Sequence, residues 1–292
     1  MLSGSPWFEM PSPFGDEGAR VLLLEPPSAK PGELRARLLD DTYARPYVID
    51  NGEWRFLHFD QRLVQSAMRL QAPNALDVRY TQKMMSFLLF QPRPRRIVFI
   101  GLGGGSLVKF CHTRLPAAQL VVLENNPDVI ALRDAFRMPP DGLNLQVLEA
   151  DGADYLAGAA KGIDALLVDA FDKSGFAPSL AGPEFFEQAR AKLAGSGVLV
   201  INLAGDEARY AGLIANAMQE FDDQVVVLPV PQDDNQVLFA FRDAGFEPNW
   251  RRLRNRAKEL RAKYGLDFPA FLEKIERSAK QGLARREAGR GR

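Results

Sequence analysis

A glycine-rich turn between two short apolar runs constrains this chain more than any other feature. Residues 97–100 are apolar and lead into the turn GLGGGS at 101–106, and a second apolar run at 120–123 ends on Glu124. This order predicts a strand, a glycine turn, a helix and a second strand, as in nucleotide-binding βαβ units. Glycines permit a tight turn and let a ligand lie against backbone amides. An acid about 20 residues further on can accept hydrogen bonds from both hydroxyls of a ribose.

Two more apolar runs, each followed by an acid, extend the βαβ pattern. They lead into Asp151-Gly152 and into Asp169. In an open α/β sheet the ligand lies outside the carboxyl ends of the strands. We therefore expect these acids to meet Glu124 and the glycine turn at one edge of the sheet. The alternative is that the acids only cap the helices that follow them.

The later part of the chain predicts a mostly parallel sheet that ends in an antiparallel hairpin. Runs at 225–228 and 235–241 have only a short connection between them, and parallel strands need a crossover of about a dozen residues, so these two must be antiparallel. The predicted fold class is α/β, and it resembles the Rossmann-like class I methyltransferase fold. Helices are expected at 80–90, 106–114, 127–136, 152–159, 184–193 and 207–221, with one further strand at 197–202.

The N-terminal part has a different pattern. Residues 1–20 are rich in Pro, Gly and Ser, so we expect a flexible arm. Asn51-Gly52 between two apolar runs predicts a β-hairpin. We expect a small β-rich domain at 21–78, a Rossmann-like catalytic domain at 79–245 and a basic helical tail at 246–292.

Charge is unevenly distributed along a chain whose formal net charge is zero. Residues 251–292 carry 14 Lys or Arg and five Asp or Glu, so this tail has a net charge of +9 and the remainder −9. An acidic body disfavours nucleic acid and favours cationic small molecules. We expect the tail to be a solvated helix, with contact to nucleic acid or a partner as the alternative.

The few cysteine and histidine residues exclude some classes of site. The single cysteine, Cys111, excludes an intrachain disulfide and fits a reducing compartment as a buried thiol. His58, expected on a strand, and His112, expected on a distant helix, cannot assemble a metal cluster, so no metal site is predicted. No apolar stretch approaches the ~20 residues that span a bilayer. The N-terminus lacks a basic-then-apolar signal pattern, so we expect a cytoplasmic enzyme.

Taken in order, these motifs resemble those of the polyamine aminopropyltransferases, the spermidine synthase family, over about residues 47–241. The resemblance implies a β-rich N-terminal domain, a methyltransferase-like domain and a homodimer. It implies no permanently bound cofactor, because decarboxylated S-adenosylmethionine is a co-substrate whose aminopropyl group passes to an amine such as putrescine, releasing methylthioadenosine. The matching residues are Gln65-Ser66, Tyr80, the glycine turn, Glu124, Asp151-Gly152 and Asp169-Ala170-Phe171-Asp172.

The resemblance also implies roles for single residues. Glu124 would hold the ribose and Asp151 the adenine amino group, with Gln65 against the nucleoside. Asp169 would be the acid beside the attacking nitrogen, and Asp172 would anchor the amine. The remaining implied site residues are Tyr80 in the amine pocket and the glycines of the nucleoside site, Gly101, Gly103, Gly104 and Gly152.

The chain departs from the family pattern around the amine. Gly103 or Gly104 stands where active members usually carry an Asp. Thr81-Gln82 follows the pocket tyrosine in place of His-Glu, and the segment 202–207 replaces an acid-bearing loop. The nucleoside-binding residues are thus retained better than the amine-binding ones.

Three functions are consistent with the sequence. The first is an aminopropyltransferase acting on putrescine or a related amine. The second is a methyltransferase on the same fold that uses S-adenosylmethionine itself. The third is a non-catalytic nucleoside-binding protein.

Overall fold

The computed structural model describes residues 7–172, 175–205, 207–231 and 234–290, except for the side chains of residues 172, 207–209 and 281–290. Within this part, a five-stranded antiparallel sheet precedes a seven-stranded sheet that is mostly parallel. The predicted fold class is confirmed. No helix in these ranges is both long and apolar enough to cross a membrane.

The N-terminal sheet is a meander in which each strand pairs with the next along the chain. The predicted hairpin at Asn51-Gly52 is confirmed, and Gly52 has the positive φ of 85° that such turns favour. The elements are β1 (Phe8–Pro11), β2 (Arg20–Leu23), α1 (Pro31–Leu39), β3 (Tyr47–Asp50), β4 (Trp54–His58) and β5 (Val64–Arg69).

The flexible arm expected at 1–20 is wrong from residue 8 onward. Phe8–Pro11 forms β1 and pairs with Arg20–Leu23 in β2. Met10 and Ala19 are buried in the core of this sheet, so apolar burial orders a segment whose Pro, Gly and Ser content predicted a loop. Residues 1–6 lie outside the described part of the chain.

The segment expected to be one helix at 80–90 changes its winding. It begins as α2 (Arg79–Met84) and continues as a 3-10 turn (Met85–Leu89). All five residues of the turn are fully buried, including the side chain of Ser86, so this segment has no solvent-exposed face. Met84 and Met85 pack in the apolar core of the second sheet.

The rest of the chain forms the second sheet and its helices. The elements are β6 (Arg96–Ile100), α3 (Ser106–Arg114), β7 (Gln119–Glu124), α4 (Pro127–Ala131), β8 (Leu145–Glu149), α5 (Gly152–Gly158), β9 (Ile163–Val168), the hairpin β10 (Phe171–Asp172) and β11 (Gly175–Phe176), α6 (Pro183–Lys192), β12 (Leu193–Ala204), α7 (Glu207–Glu220), β13 (Val225–Val230), β14 (Asn235–Phe241), α8 (Trp250–Tyr264) and α9 (Phe268–Arg290).

The second sheet has the strand order β13-β14-β12-β9-β6-β7-β8. Strands β6, β7, β8, β9 and β12 are parallel, and β14 runs antiparallel to both β12 and β13.

Helix α4 is shorter than the predicted 127–136 because the chain tightens after Ala131. The backbone N–H groups of Arg133, Ala135 and Phe136 donate to carbonyl groups three residues earlier. These tight turns bury Phe136 against Leu22, Val48 and Leu57 of the N-terminal sheet.

The C-terminal helices correct the expectation of a solvated tail. Leu253, Ala257, Leu260 and Tyr264 lie at helical spacing on α8 and are buried, as is Phe268 on α9. They belong to the same apolar core as β13 and β14. The basic side chains of α8 are exposed on its outer face, except for Arg256, which is half-buried.

The N-terminal sheet is joined to the second sheet by charged side chains. Arg45 makes a two-pronged ion pair with Asp128 on α4, with N–O distances of 2.6 and 2.9 Å. Arg55 donates to the carbonyl oxygen of Ala135. Both contacts hold the N-terminal sheet against the segment 127–136, which follows β7.

Candidate active site

The sheet extends from β6 in two directions, through β7 and β8 on one side and through β9 and β12 on the other. The predicted site lies at this switch in strand order. Strand β6 has β7 on one side and β9 on the other, all parallel. The carboxyl ends of the three strands bear Gly101, Glu124 and Asp169, so the sheet brings these residues to one edge, where open α/β sheets bind ligands.

The glycine turn is in direct contact with the backbone of Asp169. The N–H of Asp169 donates to the carbonyl oxygen of Ile100 at 2.9 Å. Gly101 has φ +97°, and a Cβ atom added there would lie 2.8 Å from the carbonyl carbon of Asp169. Both the conformation and the close approach require glycine at position 101.

Gly104 is enclosed by side chains. An added Cβ atom would lie 2.6 Å from Oγ of Ser66 and 2.9 Å from the ring of Phe136. Gly103 has φ +50°, and a Cβ atom added there would have Cβ of Ser66 as its nearest neighbour, at 3.8 Å. The approach of β5 to the turn therefore leaves no room at position 104 for the aspartate that the family pattern carries in this turn.

Glu124 is buried beside the glycine turn. Its Oε2 accepts a hydrogen bond from the backbone N–H of Leu102 at 3.0 Å, and Oε1 accepts one from Asn126 at 2.9 Å. Burial raises the pKa of Glu124, and these backbone donors lower it in part. These backbone donors fix the carboxylate in place beside the turn.

Asp151 caps a helix, as the simpler interpretation of the strand-end acids predicts. Its Oδ1 accepts from the N–H groups of Ala153 and Asp154 at the start of α5, and Oδ2 accepts from the hydroxyl of Ser179 at 3.1 Å. Glu124 differs, because Asn126 caps the helix that follows it.

Gly152 brings the start of α5 against β6. A Cβ atom added at this glycine would lie 2.5 Å from Cγ2 of Ile100, the last residue of the strand. The Asp151-Gly152 pair therefore lies next to the strand that leads into the glycine turn.

Asp169 has a hydrogen-bond donor on each carboxylate oxygen. The Tyr80 hydroxyl donates to Oδ2 at 3.0 Å, and Nδ2 of Asn202 donates to Oδ1 at 2.8 Å. Burial raises the pKa of Asp169, and these two donors lower it in part. A carboxylate with a raised pKa is a stronger proton acceptor than an exposed one.

The sequence did not predict the roles of Asn202 and Asn235. Asn202 is 2% exposed, and its Oδ1 accepts from Nδ2 of Asn235 at 2.8 Å. The available signal was an amide inside the apolar run 198–203, since a buried amide must find partners. Its partners lie 33 residues away in either direction.

Gln65 and Asp172 are the remaining predicted residues. Gln65 is partly exposed on β5, next to Ser66, which faces the glycine turn. The backbone of Asp172 pairs with Gly175 in the small hairpin, but its side chain lies outside the described part.

Thr81 and Gln82, which depart from the family pattern, form hydrogen bonds with the backbone of the segment just before α2. The hydroxyl of Thr81 donates to the carbonyl oxygen of Val78 at 2.6 Å. Nε2 of Gln82 donates to the carbonyl oxygen of Leu76 at 2.7 Å. Both side chains stabilise the segment that leads into α2.

A parallel sheet with a terminal antiparallel hairpin and an acid-lined edge defines a Rossmann-like protein of the class I methyltransferase type, here with an antiparallel sheet in front of it. Two solved structures share the fold. A probable spermidine synthase from Corynebacterium glutamicum has a TM-score of 0.62 at 19% identity, covering 74% of this chain and 84% of that one. A spermidine synthase in complex with the transition-state analogue AdoDATO has a TM-score of 0.60 at 14% identity, covering 82% and 85%.

Sequence comparison identifies the family. The chain is 36% identical over 235 residues to a polyamine aminopropyltransferase of Chromobacterium violaceum, which covers 80% of this chain and 90% of that protein. No protein-family model matches the chain. The chain belongs to the polyamine aminopropyltransferase family, as its motifs predicted.

Proposed function

We propose that this protein is an aminopropyltransferase that moves the aminopropyl group of decarboxylated S-adenosylmethionine to putrescine or a related amine and releases methylthioadenosine. The observation that carries the proposal is the position of Asp169. Its backbone touches Gly101 in the glycine turn, and its carboxylate is held by Tyr80 and Asn202. This geometry supports a proton acceptor next to a nucleoside site.

We assign the nucleoside to the glycine turn and its flanking acids. Glu124 would accept hydrogen bonds from the ribose hydroxyls, and Asp151 would accept one from the adenine amino group through a lone pair of Oδ2. Gln65 would lie against the nucleoside from β5. Gly101 and Gly103 would let it approach the backbone closely.

The chemistry needs a base and good alignment. An ammonium group is no nucleophile, so the amine must first lose a proton, and we assign Asp169 to accept it. The free amine then attacks the carbon bound to the sulfonium. The C–S bond breaks as the C–N bond forms, and its electrons remain on sulfur. Because a sulfonium is a good leaving group, the protein mainly aligns the reactants.

The amine would lie between Asp169 and the hairpin formed by β10 and β11. Tyr80 would line this pocket and orient the Asp169 carboxylate through its hydroxyl. Asp172 would anchor the far end of a diamine by its charge.

The direct test is an assay of purified protein with decarboxylated S-adenosylmethionine and a panel of amines, measuring methylthioadenosine. We expect release that depends on the amine. A parallel assay with intact S-adenosylmethionine should yield no S-adenosylhomocysteine. The reverse pattern would identify a methyltransferase. Tight nucleoside binding by calorimetry without turnover in either assay would identify a binding protein.

Oligomeric state and location are further proposals from the family. We expect a homodimer, a cytoplasmic enzyme and no binding to nucleic acid. Sedimentation equilibrium tests the first, since a single species at the mass of the 32.4 kDa chain would contradict it. Fractionation of the source cells tests the second, and a gel-shift assay tests the third.

A further inference from the structure

Two buried asparagines form a hydrogen-bonded chain that ends on Asp169. Asn235 lies at the start of β14 and donates through Nδ2 to Oδ1 of Asn202 on β12, at 2.8 Å. Asn202 donates through Nδ2 to Oδ1 of Asp169, also at 2.8 Å. The two asparagines are 8% and 2% exposed. Burying an amide without hydrogen bonds costs free energy, so these two hydrogen bonds constrain how the three side chains are oriented.

The direction of the chain follows from the chemistry of Asp169. An ionised carboxylate can only accept hydrogen bonds, so Asn202 must turn its NH2 group toward it. The carbonyl of Asn202 then faces Asn235, which must donate. If Asn202 turned over, its oxygen would face the carboxylate and its NH2 group would face the NH2 group of Asn235. The carboxylate therefore fixes the orientation of Asn202, and the hydrogen bond from Asn235 stabilises that orientation.

We propose that Asn202, held by Asn235, is a positioning residue that occupies Oδ1 of Asp169 and makes Oδ2 the oxygen that takes the proton from the amine. This inference rests on the proposed function. Oδ2 accepts from Tyr80 at 3.0 Å and keeps a second lone pair that can face the substrate.

The proton and electron balance follows from this assignment. The ammonium group of the acceptor gives one proton to Oδ2, and the electron pair of that N–H bond becomes the lone pair of the nitrogen. That pair forms the new C–N bond while the electrons of the C–S bond leave on sulfur. The product nitrogen carries the positive charge that the sulfonium loses. A proton on Oδ1 would instead require both asparagines to turn over.

The surroundings of Asp169 make the effect of Asn202 measurable. Among the side chains that the structure describes, its hydrogen-bond partners are the phenol of Tyr80 from α2 and the neutral amide of Asn202 from β12. The side chains of Asp172 and Glu207 lie outside the described part. Removing the Asn202 donor should raise the pKa of Asp169, because a donor favours the charged carboxylate.

Two variants of Asn202 test the role. Asn202→Leu removes the donor and keeps the branching of the side chain. Asn202→Asp keeps the shape and still accepts from Asn235, but it places a second carboxyl group against Asp169, so the two carboxyl groups share one proton. We expect kcat to fall about 10- to 100-fold in both, with the Kd of methylthioadenosine changed less than about twofold. The acidic limb of the pH profile of kcat/KM should move upward by about one unit in Asn202→Leu and further in Asn202→Asp.

Asn235→Leu should act through Asn202. Its effect should be smaller and in the same direction, and it should add little to Asn202→Leu in the double variant. Asn216→Leu is the matched control. Asn216 on α7 also spends its amide on one hydrogen bond, to the carbonyl oxygen of Ala181 at 3.0 Å, and its loss should leave kcat and the pH profile unchanged.

A titration that needs no turnover separates this inference from the proposed function. Carbon-13 NMR of the aspartate carboxyl groups, with Asp169 assigned by Asp169→Asn, should show the Asp169 midpoint shifted upward in Asn202→Leu and Asn202→Asp. If the wild-type protein releases no methylthioadenosine, the proposed function fails and this titration still tests the positioning role. Folded Asn202 variants with an unchanged midpoint would overturn the inference, and so would full additivity with Asn235→Leu.

Discussion

Gly101 and Asp169 are packed so closely that a single added carbon atom at Gly101 would overlap the carbonyl group of Asp169. This contact joins the turn assigned to the nucleoside to the residue assigned to the amine. Two reactants that meet in line need such a junction, since misplacing a reacting group by about 1 Å can cost about 100-fold in rate.

Gly101→Ala should therefore damage both stability and binding. The added methyl group meets backbone rather than a movable side chain, and an L-residue at φ +97° is strained, so we expect a loss of at least about 2 kcal/mol. Gly162→Ala is the matched control, with φ +98° and nothing within 4 Å of the added carbon. Urea unfolding and calorimetry with methylthioadenosine measure the two effects. Equal losses in the two variants would show that the contact with Asp169 does not matter.

The division of roles between Asp169 and Glu124 gives opposite kinetic signatures. Asp169→Asn removes the proton acceptor and little volume, so turnover should fall by about 10²- to 10⁴-fold while nucleoside affinity is kept.

Glu124→Gln should weaken nucleoside binding by about 1–3 kcal/mol, because it removes charge-assisted hydrogen bonds. Calorimetry with methylthioadenosine and single-turnover kinetics distinguish the two variants. If both lose binding alike, or both lose only turnover, the assignment of roles is wrong.

The raised pKa of Asp169 also predicts how its replacement changes stability. In the folded state this carboxyl holds its proton more tightly than in the unfolded chain, so its contribution to stability is complete below the unfolded pKa of about 3.9 and is lost as the pH rises through the folded pKa. Asp169→Asn removes this loss. The free energy of unfolding of the variant, minus that of the wild type, should be larger at pH 7 than at pH 4. A difference that stays constant across this range would contradict the burial of the charge.

Lys109 provides a pH test in the opposite direction. Its ammonium group is buried, donates to the carbonyl oxygen of Phe136 at 2.7 Å and lies 3.1 Å from Sδ of Met68. Burial, with a smaller effect of Arg137, lowers the pKa of Lys109 to about 8. Because the unfolded chain binds this proton up to a pKa of about 10.5, the wild type should gain about 3 kcal/mol from this group as the pH rises from 8 to 10.5.

Lys109→Arg isolates this contribution, since arginine keeps its charge over the whole range. Other groups that titrate there, such as Cys111, cancel in the difference between the two proteins. Urea unfolding at pH 8 and pH 10.5 should show the wild type gaining on the variant. If the difference in free energy of unfolding stays constant between the two pH values, burial does not lower the pKa of Lys109.

The sequence predicted best where neighbouring residues determine the structure. The helix at Ser106–Arg114 begins and ends as expected, because a glycine turn precedes it and a strand follows. Helix α4 was placed correctly at Pro127 but ends early, because burial of Phe136 favours tight turns over a regular helix.

Segments whose order comes from distant contacts were predicted less well. Strand β1 contains a proline and has no clear alternation, so only its pairing with β2 reveals it. Helix α8 is rich in charged residues but has a buried face at Leu253, Ala257 and Leu260. The helical spacing of these residues is visible in the sequence, whereas the surface on which they pack is not.

The same distinction holds for the site. Motifs located Glu124, Asp151 and Asp169 because each follows a strand. The hydrogen bonds from Asn235 to Asn202 and from Asn202 to Asp169 run from β14 to its antiparallel neighbour β12, and from β12 to the end of its parallel neighbour β9. Only the order of the strands in the sheet brings these three residues together. Likewise, the glycine at position 104 follows from the approach of Ser66 on another sheet.

A crystal structure with methylthioadenosine bound would show directly whether the glycine turn and Asp169 form one site. We expect the ribose hydroxyls within hydrogen-bond distance of the Glu124 carboxylate, and the sulfur atom pointing toward Asp169 and Tyr80. A nucleoside bound away from the glycine turn, or bound there with its sulfur pointing away from Asp169, would contradict this expectation.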